Sequence, residues 1–202
     1  NAVGMAISES MRAARFNTAE SQIVDHYTYA LVGDGCLEEG VASEACSLAG
    51  ALGLGKLIVY YDSNSITIDG PTSLTFTEDV GKRFEAYGWQ VLRGDMYDFE
   101  ELKALTAAAK AEKNKPSIII LKSIIGKGSP NKQGTAGIHG SPLGTEEAVK
   151  AKAGLGIPQD TPFWVAPEAY AYFEEHRKVL AAKKAEWQKM FEAWKKANPG
   201  KA

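Results

Sequence analysis

The sequence is poor in cysteine, and its two cysteines cannot pair with each other in one regular element. Cys36 and Cys46 are the only cysteines among 202 residues and lie ten positions apart. On the predicted helix this separation is too long for a disulfide bond, which excludes a bridge between them. We therefore expect reduced thiols and a cytoplasmic protein.

A strong excess of one charge and a long apolar run are also missing. The 23 basic and 25 acidic residues leave a net charge of −2, which indicates neither nucleic acid nor an anionic membrane as a partner. No apolar run reaches the roughly 20 residues that span a bilayer, and no charged-then-apolar leader is present. The chain starts at Asn1 without a methionine, and we expect its natural beginning to be missing.

The residues that are present predict an α/β domain. Hydrophobic residues make up 45% of the chain, which is enough for a substantial core. Apolar strands alternate with helical patterns, so we predict a doubly wound, mostly parallel sheet with flanking helices. The predicted strands cover residues 27–32, 57–61, 89–92 and 117–125, and the predicted helices begin near 37 and cover 78–87 and 99–112.

Two of these strands end in residues that suit a metal ion. Asp34 follows the first strand within Gly33-Asp34-Gly35, and Asn64 follows the second strand 30 residues later. Ligands of parallel sheets bind outside the carboxyl ends of the strands. Carboxylate and amide oxygens suit Mg²⁺ or Ca²⁺, and phosphate oxygens often complete the shell of Mg²⁺. The pattern predicts a metal-bound diphosphate near the amino end of the next helix, although the Gly-Asp-Gly tripeptide alone is also typical of a simple turn.

A glycine-rich segment provides a second candidate site. Residues 126–144 contain six glycines, and a loop of this length inside a compact domain is usually functional. His139 lies near its end, where an imidazole can contact a diphosphate or substrate oxygen and exchange a proton. We expect Thr145 to cap the next helix, with Glu146 and Glu147 in its first turn.

Two helices carry apolar stripes. The first stripe is predicted to form one buried face, because its spacings of four, three and four residues follow the helical period. The second is amphipathic and is expected either to dock on another domain or subunit or to pack against the chain's own sheet. The first consists of Val41, Ala45, Leu48 and Leu52, and the second of Leu180, Trp187, Met190, Phe191 and Trp194.

The metal pair and its flanks resemble one family, the transketolases. Gly33-Asp34-Gly35 through Asn64 is similar to their thiamine diphosphate motif. The agreement continues through residues 36–45, 66–70, 86–89 and 138–143. The resemblance runs along almost the whole chain and implies a thiamine-diphosphate-binding fold. It implies that residues 1–167 form the diphosphate domain without its N-terminal part, and that 168–202 form a C-terminal helix and the start of an interdomain linker.

The resemblance also implies roles for single residues. Asp34, Asn64 and the backbone carbonyl of Ile66 would bind Mg²⁺ or Ca²⁺. His139 would be catalytic and would also bind substrate, and Glu39 would be catalytic at a dimer interface close to the cofactor. The residues expected to contact thiamine diphosphate are Gly33, Asp34, Gly35, Asn64, Ile68 and His139.

The activity implied is transfer of a two-carbon ketol group from a ketose phosphate to an aldose phosphate in the pentose phosphate pathway. The implied partners are sugar phosphates, a pyrimidine-binding domain or chain that completes the active site, and a second copy in a homodimer. Alone, the chain is expected to be inactive. The alternatives are a related enzyme, such as dihydroxyacetone synthase or deoxyxylulose phosphate synthase, and a non-catalytic cofactor-binding subunit.

Overall fold

The computed structural model describes residues 1–202, which divide into two compact units. The first unit consists of Asn1–Ile7 and Tyr27–Gly156, and the second of Ser8–His26 and Ile157–Ala202. The strands are β1 Thr28–Gly33, β2 Leu57–Ser63, β3 Ile66–Thr67, β4 Gly70–Pro71, β5 Gln90–Asp95 and β6 Ser117–Lys122. The helices are α1 Ala2–Phe16, α2 Asp34–Glu38, α3 Gly40–Ala51, α4 Val80–Ala86, α5 Phe99–Ala111, α6 Thr145–Gly154 and α7 Pro167–Ala197. None of them combines the length and the apolar character needed to cross a membrane.

Four strands of the first unit form a parallel sheet in the order β1-β2-β6-β5. The register places Thr28 opposite Leu57, and Ser117 between Ile58 and Gln90. The two central strands, β2 and β6, are runs of Leu, Ile, Val and Tyr, as expected for strands that are covered on both faces. All four strands run in the same direction, so their carboxyl ends meet at one edge of the sheet.

Helices cover both faces of this sheet. Side chains of a strand alternate between its faces, so neighbouring residues of β2 belong to different buried clusters. Leu57 and Val59 belong to one buried cluster with Ala49 of α3 and Phe84 of α4. Ile58 belongs to a second cluster, which contains residues of β6 and α5. Burying each of these large side chains contributes about 1.5–3 kcal/mol. The predicted α/β fold, with a doubly wound parallel sheet and flanking helices, is confirmed.

The predicted buried stripe of α3 is wrong. Val41 is 68% exposed, Leu48 48% and Leu52 52%, and Ala45 is only partly buried. The helix instead turns Ala49, which is fully buried, towards the core.

Close packing of α3 against its neighbours explains this difference. The Trp89 indole N–H donates a hydrogen bond to the Cys46 carbonyl at 2.8 Å. A Cβ added to Gly50 would lie 1.8 Å from the Tyr87 carbonyl oxygen. A helix that approaches an aromatic ring and a backbone carbonyl this closely must present small side chains, so its large ones face outwards.

Two predicted helix starts also differ from the structure. The helix predicted to begin near Leu37 begins at Asp34, and it is divided at Glu39, whose extended backbone (φ −69°, ψ 129°) separates α2 from α3. Thr145 is the first residue of α6 and provides no side-chain cap. The position before it is Gly144, whose φ of 82° is a left-handed conformation that favours glycine. The chain therefore enters α6 one residue earlier than the predicted cap.

The second unit is held together by aromatic residues of α7. The indole N–H of Trp187 donates to the Ile23 carbonyl at 3.0 Å, and that of Trp194 donates to the Phe16 carbonyl at 2.9 Å. The Phe191 ring stacks on both tryptophans, at centroid distances of 5.0 and 5.9 Å. The aromatic part of the stripe therefore packs against residues 16–23 of its own unit, a partner that neither interpretation of the sequence named, whereas Leu180 is 51% exposed.

Candidate functional site

Asp34 is a buried carboxylate at the carboxyl ends of β1 and β2. It is 4% exposed, and it accepts hydrogen bonds from three groups of the second strand and the turn after it. The Tyr61 hydroxyl donates to Oδ1 at 2.6 Å. The backbone N–H groups of Asn64 and Ser65 donate to Oδ2 at 3.3 and 3.0 Å. The structure thus brings Asp34 and Asn64 together, as their positions in the sequence predict.

The turn after β2 fixes the Asn64 side chain. Asn64 Oδ1 accepts a hydrogen bond from Ile66 N at 2.9 Å, and its Nδ2 lies 3.4 Å from Asp62 Oδ1. Ser65, between Asn64 and Ile66, adopts a left-handed conformation with φ 63°. This conformation is uncommon for a residue with a side chain and costs roughly 1–2 kcal/mol. The hydrogen bond from Ser65 N to Asp34 stabilises this conformation.

The oxygen atoms of this site fit a hard divalent cation. Asp34 Oδ1 and Asn64 Oδ1 each accept one hydrogen bond, so each keeps a second lone pair for a ligand. No group of three or more His, Cys, Asp or Glu side chains could surround a metal ion. A cation at Asp34 would therefore take amide, backbone carbonyl or phosphate oxygens as further ligands, which is the coordination that Mg²⁺ favours.

Tyr61 is a residue of the site that sequence reasoning missed. Its burial and, next, its hydrogen bond to Asp34 raise the pKa of the Tyr61 hydroxyl above its ordinary value, so it remains a donor at neutral pH. The strand pattern contains no signal for this role, because the partner lies 27 residues away, at the start of α2. Ser65 was missed for a similar reason, since its left-handed conformation is not marked by a glycine.

Arg83, also missed, holds the far end of the helical turn that Asp34 begins. Its Nη2 donates to the Leu37 carbonyl at 3.1 Å, and its Nη1 lies 2.5 Å from Glu78 Oε1. The positively charged Arg83 guanidinium therefore lies at the C-terminal end of α2, where it complements the helix dipole. Arg83 thus connects α4 to the segment that positions Asp34.

Two cavities adjoin the sheet. One of about 260 Å³ is lined by Asp34, Tyr61, Ser65 and residues of α4 and β5. The other, of about 790 Å³, is an apolar groove between α5 and the exposed part of β1 and β2. The larger cavity shares no lining residue with the Asp34 cavity, so we place the candidate site at the smaller one, where the polar groups converge.

The two glycines beside Asp34 face open space. A Cβ added to Gly33 or Gly35 would meet no atom within 4 Å, and neither residue has a positive φ. Neither the backbone conformation nor the packing of this chain therefore requires glycine at these positions.

Of the remaining predicted residues, Ile66 adjoins the site, because its N–H donates to Asn64 Oδ1 at 2.9 Å. The hydrogen bonds of Asp34 come from Tyr61, Asn64 and Ser65 and not from His139, Glu39 or Ile68. His139 is exposed at the end of a short 3-10 turn in the 126–144 segment. Glu39 is exposed at the break between α2 and α3. Ile66 is partly buried in the small β3–β4 hairpin, and Ile68 is 68% exposed at its tip. Their functional roles remain predictions.

Comparison with known proteins places this chain in a family. The family model described as "Transketolase, thiamine diphosphate binding domain" matches residues 1–202. The chain belongs to the transketolase family. It is therefore a thiamine-diphosphate-binding domain, as the Gly33–Gly35 and Asn64 pattern indicated.

Transketolases from distant organisms share its sequence and its fold. The transketolase of Treponema pallidum (strain Nichols) is 56% identical over 200 residues, which are 99% of this chain and 30% of that protein. The transketolase structure from Leishmania mexicana is 44% identical, with a TM-score of 0.96 over 99% of this chain and 30% of that one. The Pichia stipitis transketolase complex with sedoheptulose-7-phosphate is 40% identical, with a TM-score of 0.95 over 98% of this chain and 30% of that one. The chain thus spans about a third of the length of these transketolases.

Proposed function

We propose that this chain anchors the diphosphate of thiamine diphosphate and a divalent cation, Mg²⁺ or Ca²⁺, in a transketolase. The enzyme would move a two-carbon ketol group from a ketose phosphate to an aldose phosphate in the pentose phosphate pathway. The observation that carries the proposal is the buried Asp34 carboxylate beside Asn64 at the carboxyl ends of two parallel strands. The Pichia stipitis relative is a complex with sedoheptulose-7-phosphate, which supports sugar phosphates as substrates.

The residues of the site would divide the work of holding the cofactor. Asp34, Asn64 and the Ile66 carbonyl would bind the cation, which in turn would neutralise the diphosphate. The open space beside Gly33 and Gly35 would let the diphosphate approach the backbone. When bound, thiamine diphosphate supplies the nucleophilic carbon and electron sink for the reaction.

Three further residues would act around the cofactor. Ile68 would contact its apolar part, because this side chain is exposed at the tip of the hairpin that follows Asn64. His139 would bind substrate and move a proton at its imidazole nitrogen. Glu39, exposed beside the apolar surface of α3, would act at an interface with a second subunit.

A second copy and a pyrimidine-binding domain or chain would complete the active site. The exposed α3 stripe of Val41, Leu48 and Leu52 supports the homodimer, because large exposed apolar patches mark interaction surfaces. The two free cysteines, Cys36 and Cys46, are compatible with the cytoplasmic location, which remains a prediction.

Calorimetric titration tests the anchor directly. Asp34→Ala removes the only full negative charge among the proposed cation ligands, so Mg²⁺-dependent binding of thiamine diphosphate should fall at least about a hundredfold. Asp69→Ala is the matched control, because Asp69 is exposed in the nearby hairpin and should leave affinity unchanged. Equal affinities of Asp34→Ala and the unsubstituted protein would show that the metal assignment is wrong.

A further inference from the structure

Glu147 joins α6 to the segment that carries His139. It is 7% exposed, although it lies in the first turn of the helix. Its Oε1 accepts hydrogen bonds from Ser129 Oγ at 2.5 Å and Asn131 N at 2.8 Å, and its Oε2 accepts one from Asn131 Nδ2 at 2.9 Å. These bonds, with that of Ser129 the strongest influence, lower the pKa of Glu147 to about 2. The carboxylate is therefore ionised at neutral pH.

The helix dipole does not explain this arrangement. An acidic residue in the first turn of a helix is ordinarily favoured by the dipole, which requires no burial and no particular partner. Glu146 occupies the same turn and is exposed. Glu147, in contrast, uses both carboxylate oxygens on residues that precede it by 16 and 18 positions. Its burial is therefore explained by its hydrogen bonds to the 126–144 segment.

Glu147 is hydrogen-bonded to a turn formed by residues 125–134, and this turn contacts Ile138, the residue before His139. Within the turn, Gly134 N donates to the Ile125 carbonyl at 2.8 Å, which closes the chain on itself. The Ile138 side chain rests on this turn, since a Cβ added to Gly126 would lie 1.8 Å from Ile138 Cδ1. His139 follows directly, and its N–H donates to the Ala136 carbonyl at 2.9 Å. The contacts thus connect the turn to the backbone of His139.

We infer that Glu147 is a positioning residue for His139. Through Ser129 and Asn131 its carboxylate holds the turn on which Ile138 rests, and so it fixes the backbone that presents the imidazole. The inference rests on the proposed function in one respect, namely that His139 takes part in ketol transfer. Preorganised placement of this kind matters because a displacement of about 1 Å can cost roughly a hundredfold in rate.

Hydrogen exchange of the 202-residue chain tests the contact without any catalytic assay. Glu147→Ala removes all three acceptor contacts, so the amides of Asn131, Gly134 and His139 should exchange at least about tenfold faster. Amides of the central strands β2 and β6 should keep their protection. A rise in exchange that is equal in the loop and in these strands would indicate a general loss of stability and would overturn the inference.

Two further variants separate hydrogen-bond geometry from charge. Glu147→Gln keeps the length and one carbonyl oxygen, and rotation of the Asn131 amide lets that side chain accept from the new N–H₂ group. The amides of Asn131, Gly134 and His139 should therefore exchange more slowly in Glu147→Gln than in Glu147→Ala, at rates closer to those of the unsubstituted protein. Asn131→Ala removes one donor from an exposed residue and should give an intermediate effect in a folded protein. If these amides exchanged as fast in Glu147→Gln as in Glu147→Ala, the hydrogen bonds of Glu147 would not explain their protection, and the inference would be contradicted.

Steady-state kinetics of the complete enzyme test the consequence for His139. We expect Glu147→Ala to lower kcat at least about tenfold, and less than the roughly 10²–10⁴-fold loss typical of removing an acid–base group, as in His139→Ala. Affinity for thiamine diphosphate should change by less than about twofold, because the Asp34 site is untouched. Glu146→Ala is the matched control and should retain both kcat and loop protection.

The two experiments fail in different ways. If the unsubstituted enzyme transfers no ketol group, the proposed function is wrong, whereas the exchange measurement still decides whether Glu147 holds the loop. If Glu147→Ala loosens the loop but leaves kcat unchanged while His139→Ala abolishes turnover, the positioning role is overturned.

Discussion

At the scale of single residues, the Asp34 carboxylate shows how a buried charge is made tolerable. Removal of a carboxylate from water is costly unless it is paired or hydrogen-bonded. Here one side-chain hydroxyl and two backbone N–H groups donate to it, and hydrogen bonds to charged groups are worth about twice those between neutral ones. A lone pair remains on Oδ1 for a cation, so the same contacts that stabilise the apoprotein also orient a metal ligand.

Tyr61→Phe should destabilise the protein by about 1.5–3 kcal/mol in urea unfolding, because it removes a hydrogen bond to a charged, buried partner. Tyr60→Phe is the matched control, since the Tyr60 hydroxyl shares a 3.0 Å hydrogen bond with neutral Thr106 and should cost only about 0.5–1.5 kcal/mol. The folded state raises the pKa of Tyr61 above the ordinary value of 10.0. The stabilisation is therefore complete below about pH 10 and is lost as the pH rises above it. Equal costs for the two variants would contradict the role assigned to Tyr61.

At the scale of elements, the packing of α3 determines what the protein presents to its surroundings. The helix approaches Tyr87 and Trp89 through Gly50 and the backbone of Cys46. Its large apolar residues consequently face outwards. The same short distance that completes the core therefore also creates an apolar surface beside Glu39.

Gly50→Ala should destabilise the protein by at least about 1–3 kcal/mol, because the new methyl group would overlap a backbone carbonyl that cannot move cheaply. Gly4→Ala in α1 is the control with the opposite sign. No atom lies within 4 Å of a Cβ at Gly4, so alanine should stabilise the helix by about 0.5–1 kcal/mol. Thermal unfolding of both variants measures the difference, and a neutral Gly50→Ala would mean that α3 does not lie this close to Tyr87.

At the scale of the whole molecule, the chain spans about 30% of the length of its relatives, and the role proposed for it is to anchor a diphosphate. A cofactor held only by its diphosphate has most of its contacts still to be made. The proposed activity would therefore require a further domain or chain for the aminopyrimidine end of the cofactor.

The 202-residue chain should show no ketol transfer when it is assayed alone with thiamine diphosphate, Mg²⁺, a ketose phosphate and an aldose phosphate. Addition of a pyrimidine-binding domain or chain of a transketolase should restore turnover, because the active site would then be complete. The same addition should not restore turnover to a chain that carries Asp34→Ala. Steady turnover by the isolated chain would disprove its dependence on a partner.

Leu48→Glu should weaken self-association of the complete enzyme at least about tenfold in sedimentation velocity, because it buries an unpaired charge in the proposed interface. Tyr170→Glu, at a comparably exposed apolar position on α7, is the control and should leave the oligomeric state unchanged. A monomeric unsubstituted enzyme would exclude the homodimer, and an unaffected Leu48→Glu dimer would place its interface elsewhere.

The sequence alone determined the parallel sheet and the meeting of Asp34 with Asn64. Both follow from local information, namely apolar strands, helical spacing and the rule that parallel strands end at one edge of the sheet. Only the tertiary structure decided which face of α3 is buried, that Tyr61 donates to Asp34, and that Glu147 holds the loop of His139. These depend on groups distant in the sequence that compete for the same space or the same lone pair, and the periodicity of a single element contains no record of that competition.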